Sequence, residues 1–143
     1  MTIKFSEFTV GGTVVEGDIV VGLRSGVDTQ FTFPSTVGTT WNLVDTNQVM
    51  ESFNGYVVDS MGTVTLTIPS SIAFGDFFEV AMFGSGGFVV QCNTGQQIMV
   101  GTALTSVGGS IESYNQGDTV RLLACSTTQL IALSCVTFHY TVL

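Results

Sequence analysis

Thr63-Val64-Thr65-Leu66-Thr67-Ile68 alternates strictly between hydroxyl and aliphatic side chains. A β-strand sends successive side chains to opposite faces. The stretch therefore reads as a strand with Val64, Leu66 and Ile68 on a core and three threonines turned outward. Pro69 cannot donate to a ladder and ends it. The neighbouring sequence repeats the pattern on both sides. β-Branched and aromatic runs at residues 3–5, 19–23, 29–33, 56–58, 77–83, 88–91, 97–100, 109–113, 119–124, 130–134 and 136–142 alternate with Gly, Asn, Asp and Ser clusters. No segment of about 11 residues shows the i, i+3, i+4 apolar recurrence and caps of a helix. Regular short strands with frequent turn signals predict an all-β sandwich or barrel.

Individual runs say more. Residues 77–83 are apolar on both faces apart from Glu79, which predicts a central or interface strand. Residues 119–124 and 130–134 flank a short polar loop and read as a hairpin. Gly84-Ser85-Gly86-Gly87 has no following lysine and reads as a hairpin turn, not a phosphate cradle. Pro34 and the six residues after it mark a joint, giving an N-terminal segment over 1–34 and a main domain over 35–143.

Composition limits the function. The chain has 143 residues, 45% hydrophobic and only 10% charged, against about 25% charged in ordinary domains. With a mean hydropathy of +0.49, much of the surface is expected to be covered by other subunits. A membrane span is not expected: the most apolar stretch, 77–90, is broken by Glu79 and the glycine cluster. Met1-Thr2-Ile3-Lys4 runs into Glu7 with no signal-peptide core, so the chain is expected to be made in a cytoplasm and to stay soluble. Lys4, Arg24 and Arg121 face eleven carboxylates, a net charge of −8 that disfavours nucleic acid.

Candidates for chemistry are few. Cys92, Cys125 and Cys135 are widely spaced without a CxxC pair, and the sole histidine, His139, stands apart. They read as free thiols and a structural histidine, with neither metal nor cofactor. Asp18, Asp76 and Asp118 each follow glycine before a strand, where a carboxylate bonds turn amides; a calcium loop is the alternative. No nucleophile elbow or base pair occurs, so no enzyme is expected. Trp41, Tyr56, Tyr114 and Tyr140 can stack on sugar rings where exposed. Residues 45–54 are the least periodic and read as a surface loop. The candidate recognition surface is Trp41, Asp45, Asn47, Glu51, Tyr56 and Tyr114.

Lys4-Phe5-Ser6-Glu7, followed by Gly17-Asp18-Ile19-Val20-Val21-Gly22-Leu23 and Arg24-Ser25-Gly26, resembles the N-terminal segment of tailed-bacteriophage tail and head fibre proteins. From Asn54 the order of motifs is similar to a β-rich domain near the ends of such fibres. These are Gly55-Tyr56, the strand ending at Pro69, Gly75-Asp76, Gly86-Gly87-Phe88, Gly95-Gln96-Gln97-Ile98, Gly108-Gly109-Ser110-Ile111 and Gly117-Asp118-Thr119-Val120-Arg121-Leu122. Ile131-Ala132-Leu133-Ser134 fills the place of a closing family element, though Cys135-Val136-Thr137 lacks its glycine. The resemblance implies an antiparallel, jelly-roll-like β-sandwich that forms a homotrimer on a virion. It also implies an N-terminal segment that contacts other virion proteins. At this length there is no shaft, only a stub, tip or decoration. The expected function is a non-enzymatic virion structural protein, assembled in the host cytoplasm. The alternatives are a carbohydrate-binding module for host-surface glycan and a polysaccharide hydrolase.

Overall fold

The computed structural model describes residues 19–24, 27–32, 39–136 and 141–143. The expected strand at 3–5, most of the joint after Pro34, and Asp18, His139 and Tyr140 lie outside the described residues. The chain divides into two units, Met1–Gly38 and Thr39–Leu143. In the first, β1 (Ile19–Arg24) and β2 (Val27–Thr32) pair antiparallel, with Ile19 opposite Thr32 and Arg24 opposite Val27.

The second unit contains β3 (Thr40–Val44), β4 (Gln48–Val49), β5 (Asn54–Val58), β6 (Thr63–Thr67), β7 (Phe77–Met82) and β8 (Gly87–Gln91). It continues with β9 (Gln97–Val100), β10 (Ala103–Leu104), β11 (Ser110–Ser113), β12 (Thr119–Ala124), β13 (Gln129–Val136) and β14 (Thr141–Val142). Every regular element among the described residues is a strand. A seven-stranded sheet has the order β10-β9-β13-β12-β7-β5-β3, and a five-stranded sheet the order β14-β11-β8-β6-β4.

The expectation of antiparallel sheets is corrected: both are mixed. β3, β5 and β7 run parallel to one another, as do β4, β6 and β8, and β9 is parallel to β13. From β3 to β8 the chain changes sheet at every strand. Strands two apart in sequence thus become neighbours in one sheet and point the same way. The later strands restore antiparallel pairing, with β12 between β7 and β13.

The hairpin turn read at Gly84-Ser85-Gly86-Gly87 is corrected for the same reason. It joins β7 in one sheet to β8 in the other. The backbone of residues 60–62 runs alongside, receiving a hydrogen bond from the Gly86 amide at Ser60 O (2.9 Å). A Cβ at Gly84 or Gly86 would collide with that backbone. Residues 45–54, read as a loop, contain β4 and the first residue of β5.

One buried cluster draws on both sheets: Phe78, Val80 and Leu122 from the larger, Val64, Leu66, Phe88 and Ile111 from the smaller. β6 buries Val64 and Leu66, leaves Thr63 exposed and keeps Thr65 and Thr67 partly exposed. β7 lies between β12 and β5 and buries Phe78, Val80 and Met82. Complete burial of side chains such as Phe78 and Phe88 contributes roughly 1.5–3 kcal/mol each. The β12–β13 hairpin forms with a register slip: Arg121 faces Ser134 but Leu122 faces Ala132. Cys135 sits opposite Val120, while the Cys125 amide donates to Gln129 O at the far end (2.8 Å), so the two thiols do not face each other.

Candidate functional site

Two clefts border β3. The first, about 260 Å³, opens at the edge where β3 and β4 begin the two sheets, among Asn42, Val44, Gln48, Glu51, Asn54 and Tyr56. β5 places Tyr56 here with its ring buried. The Glu51 amide donates to the Tyr56 hydroxyl (2.6 Å), Asn54 Nδ2 to Glu51 Oε2 (3.3 Å) and Asn42 Nδ2 to Gly55 O (3.3 Å). Burial pushes the Tyr56 hydroxyl above its ordinary pKa, so it stays a neutral acceptor. These groups bond one another and hold the β4–β5 turn. The set has one carboxylate and no nucleophile or base pair, and what it can offer a ligand is hydrogen bonds.

The second cleft, about 320 Å³, lies on the outer face of the larger sheet. Strand register builds it. Trp41, Gly55, Glu79, Arg121 and Ser134 follow one another across β3, β5, β7, β12 and β13. Gly55 has no side chain, and the Trp41 ring occupies its place. A Cβ on Gly55 would lie 2.5 Å from Cε3 and 2.7 Å from both Cδ2 and Cζ3. Three adjacent ring atoms at nearly one distance mean that the backbone meets the face of the ring, not its edge. The indole remains 51% exposed. Beside it, Arg121 Nε bonds Glu79 Oε1 at 3.0 Å. The guanidinium also lies 5.3 Å from the centre of the Phe77 ring, which Phe53 meets edge-on at 5.3 Å.

No protein-family model and no curated protein matches this chain.

The six residues singled out from sequence fall in separate places. Glu51 and Tyr56 share the first cleft, and Trp41 lines the second. Asp45 is exposed beyond the end of β3. Asn47 Oδ1 accepts the Thr65 amide (2.7 Å) and so props the start of β4 against β6. Tyr114 follows β11 in the smaller sheet and donates to the Glu112 carboxylate, which raises its pKa. Sequence reasoning missed Gly55, Glu79 and Arg121 as companions of Trp41. Only the strand register brings them together, parallel from β3 through β5 to β7 and antiparallel from β7 to β12, and no local motif encodes it.

Asp76 and Asp118 bond their turns. Asp76 Oδ2 accepts from the Ala73 amide (3.0 Å) and Ser52 Oγ (2.8 Å). Asp118 is buried and accepts from Ser113 Oγ and the Asn115 amide. Burial raises the Cys92 and Cys135 thiols, which keeps them protonated and poorly nucleophilic near neutrality.

Proposed function

We propose that this chain is a non-enzymatic structural protein of a tailed-bacteriophage virion, a short tail or head fibre or a decoration protein, acting as a homotrimer. The observation that carries the reading is an apolar row on the outer face of the larger sheet. Phe77, Leu123, Ile131, Met99 and Leu104 succeed one another in register across five strands. All are at least partly exposed, and Leu133 beside the row is 50% exposed. A chain with 10% charged residues that leaves such a row open gains most by covering it with its own copies. The fibre resemblance supplies the number three. It also supplies the finer architecture, a jelly-roll-like sandwich of the two sheets, whose strand direction is mixed and not antiparallel throughout.

The N-terminal segment serves as the attachment to other virion proteins. Its β1–β2 ribbon supports this role, because a two-stranded ribbon is marginal alone and is stabilised by docking. Deleting residues 1–34 tests the division of labour. The expected product is a folded β oligomer by circular dichroism and sizing that no longer joins particles. Normal incorporation into virions would refute the anchor role, and an unfolded product would make the segment part of the core.

A further inference from the structure

We infer that the row Trp41–Gly55–Glu79–Arg121 is a binding site for a neutral pyranose. This rests on the geometry of the row and not on the virion reading. A pyranose has one face of C–H groups and a rim of hydroxyls, each both donor and acceptor. The row offers a partner for each. The Trp41 ring is laid face-down on Gly55, so its other face is turned outward as a flat apolar platform. Its support is backbone, so the platform cannot sink when a ligand stacks on it.

The next position in the row holds the polar partners. Glu79 Oε1 is bonded by Arg121 Nε. A guanidinium carries five N–H donors and a carboxylate about four lone pairs, so the pair has hydrogen-bonding capacity beyond its mutual contact, and both side chains reach solvent, Arg121 at 48% and Glu79 at 21%. An acceptor and donors are thus side by side, next to the platform, as a pair of adjacent sugar hydroxyls requires. The guanidinium is fixed in advance by Glu79 on one side and the Phe77 ring on the other, which lowers the ordering cost of binding. The cleft of about 320 Å³ is at the small end of ligand sites and suits one or two rings.

Charge selects the class of sugar. Arg121 is the only Lys or Arg between residues 39 and 143, and Glu79 neutralises it. With a net charge of −8 on the chain, an anionic sugar is repelled, whereas a neutral hexose needs only the hydrogen bonds. A single ring held by one platform and one polar pair binds on the order of millimolar.

Trp41 is the single tryptophan, so intrinsic fluorescence reports the site directly. The full chain is titrated with the methyl glycosides of glucose, galactose and mannose, and with N-acetylneuraminic acid. The expected result is a saturable change in tryptophan emission with at least one neutral glycoside and none with the acid. Glu79→Gln should weaken that response about tenfold, with circular dichroism unchanged. Gly55→Ala, which lifts the platform but removes no hydrogen-bonding group, should weaken it too. Ile131→Lys, in the apolar row, should leave it intact, which separates this site from the oligomer. No saturable response to any neutral glycoside up to its solubility limit would reduce Trp41 to a cover for the Gly55 backbone and overturn the inference. Equal binding of the acidic sugar, or binding indifferent to Glu79→Gln, would overturn it as well.

Discussion

The two sheets share one core but turn very different faces outward. On the three inner strands of the smaller sheet the solvent-facing outer positions are Thr63, Thr65, Thr67, Val89, Gln91 and Glu112, five of these six polar, and the edge strand β4 adds the exposed Val49 beside Thr67. On the larger sheet one row is Phe77–Leu123–Ile131–Met99–Leu104, and the next carries Trp41 beside a single ion pair. Both faces obey the same period-2 alternation, so the folding constraint alone does not explain the difference. Water accepts the threonine face as it is. The larger sheet's face keeps apolar area that the core does not need, and the proposed subunit contact accounts for that surplus.

The sharpest way to break the contrast is to place the same charge on each face. Ile131→Lys buries an ammonium in the proposed subunit contact. It should weaken self-association by at least about 2 kcal/mol per contact, some thirtyfold. Thr65→Lys on the smaller sheet should stay within about 0.5 kcal/mol of the parent and leave the mass unchanged. Sedimentation of the two variants compares them. Equal loss of assembly in both would mean that the faces do not differ in role.

Glycines sharpen the comparison at closer range. At Gly87 in the smaller sheet, an added Cβ meets the Ser113 carbonyl oxygen at 2.6 Å and Tyr114 Cδ1 at 2.8 Å. At Gly55 it meets only the Trp41 ring, which has open solvent to move into. Gly87→Ala should therefore cost about 3 kcal/mol and Gly55→Ala about 1 kcal/mol, toward the two ends of the overpacking range. Urea unfolding measures both, and a reversal of the order would contradict the picture of a movable platform over fixed backbone.

Much of the all-β character is legible in particular residues. β6 is readable because Thr and aliphatic side chains alternate without exception. β9 and β12 keep the bounds read from sequence, and β7 is central because it is apolar on both faces. What sequence hides is direction. Alternation tells which side chains face inward, not whether a neighbouring strand runs up or down. Parallel β3, β5 and β7 are separated by links through the other sheet, so no hairpin turn announces them. β3 was obscured because Thr40, Trp41 and Leu43 are all exposed and only Val44 is buried. The row around Trp41 was hidden with it, since its members come from four segments joined only by register. Tyr114 and Asn47 drew notice as exposed polar or aromatic types, but each is occupied by a neighbour, Glu112 and the Thr65 amide.

The smallest expected effect concerns pH. Cys92 and Cys135 are raised by burial above the ordinary thiol value of 9.0. The folded chain therefore holds these protons at a pH where the unfolded chain has released them. Stability is fully present below about pH 9 and falls as pH rises above it. Thermal melts between neutral and strongly alkaline pH should show a declining midpoint, and Cys92→Ala with Cys135→Ala should flatten the decline. A decline unaltered in that double variant would assign it to other groups.

The account stands or falls on the apolar row Phe77–Leu123–Ile131–Met99–Leu104 of the larger sheet being covered by copies of the same chain. Light scattering on the purified 143-residue chain at micromolar concentration measures this without mutation. The predicted mass is three times the 15.1 kDa of one chain, stable on dilution through the micromolar range. A soluble species of 15.1 kDa would show that the apolar row is content in water, and would contradict the account.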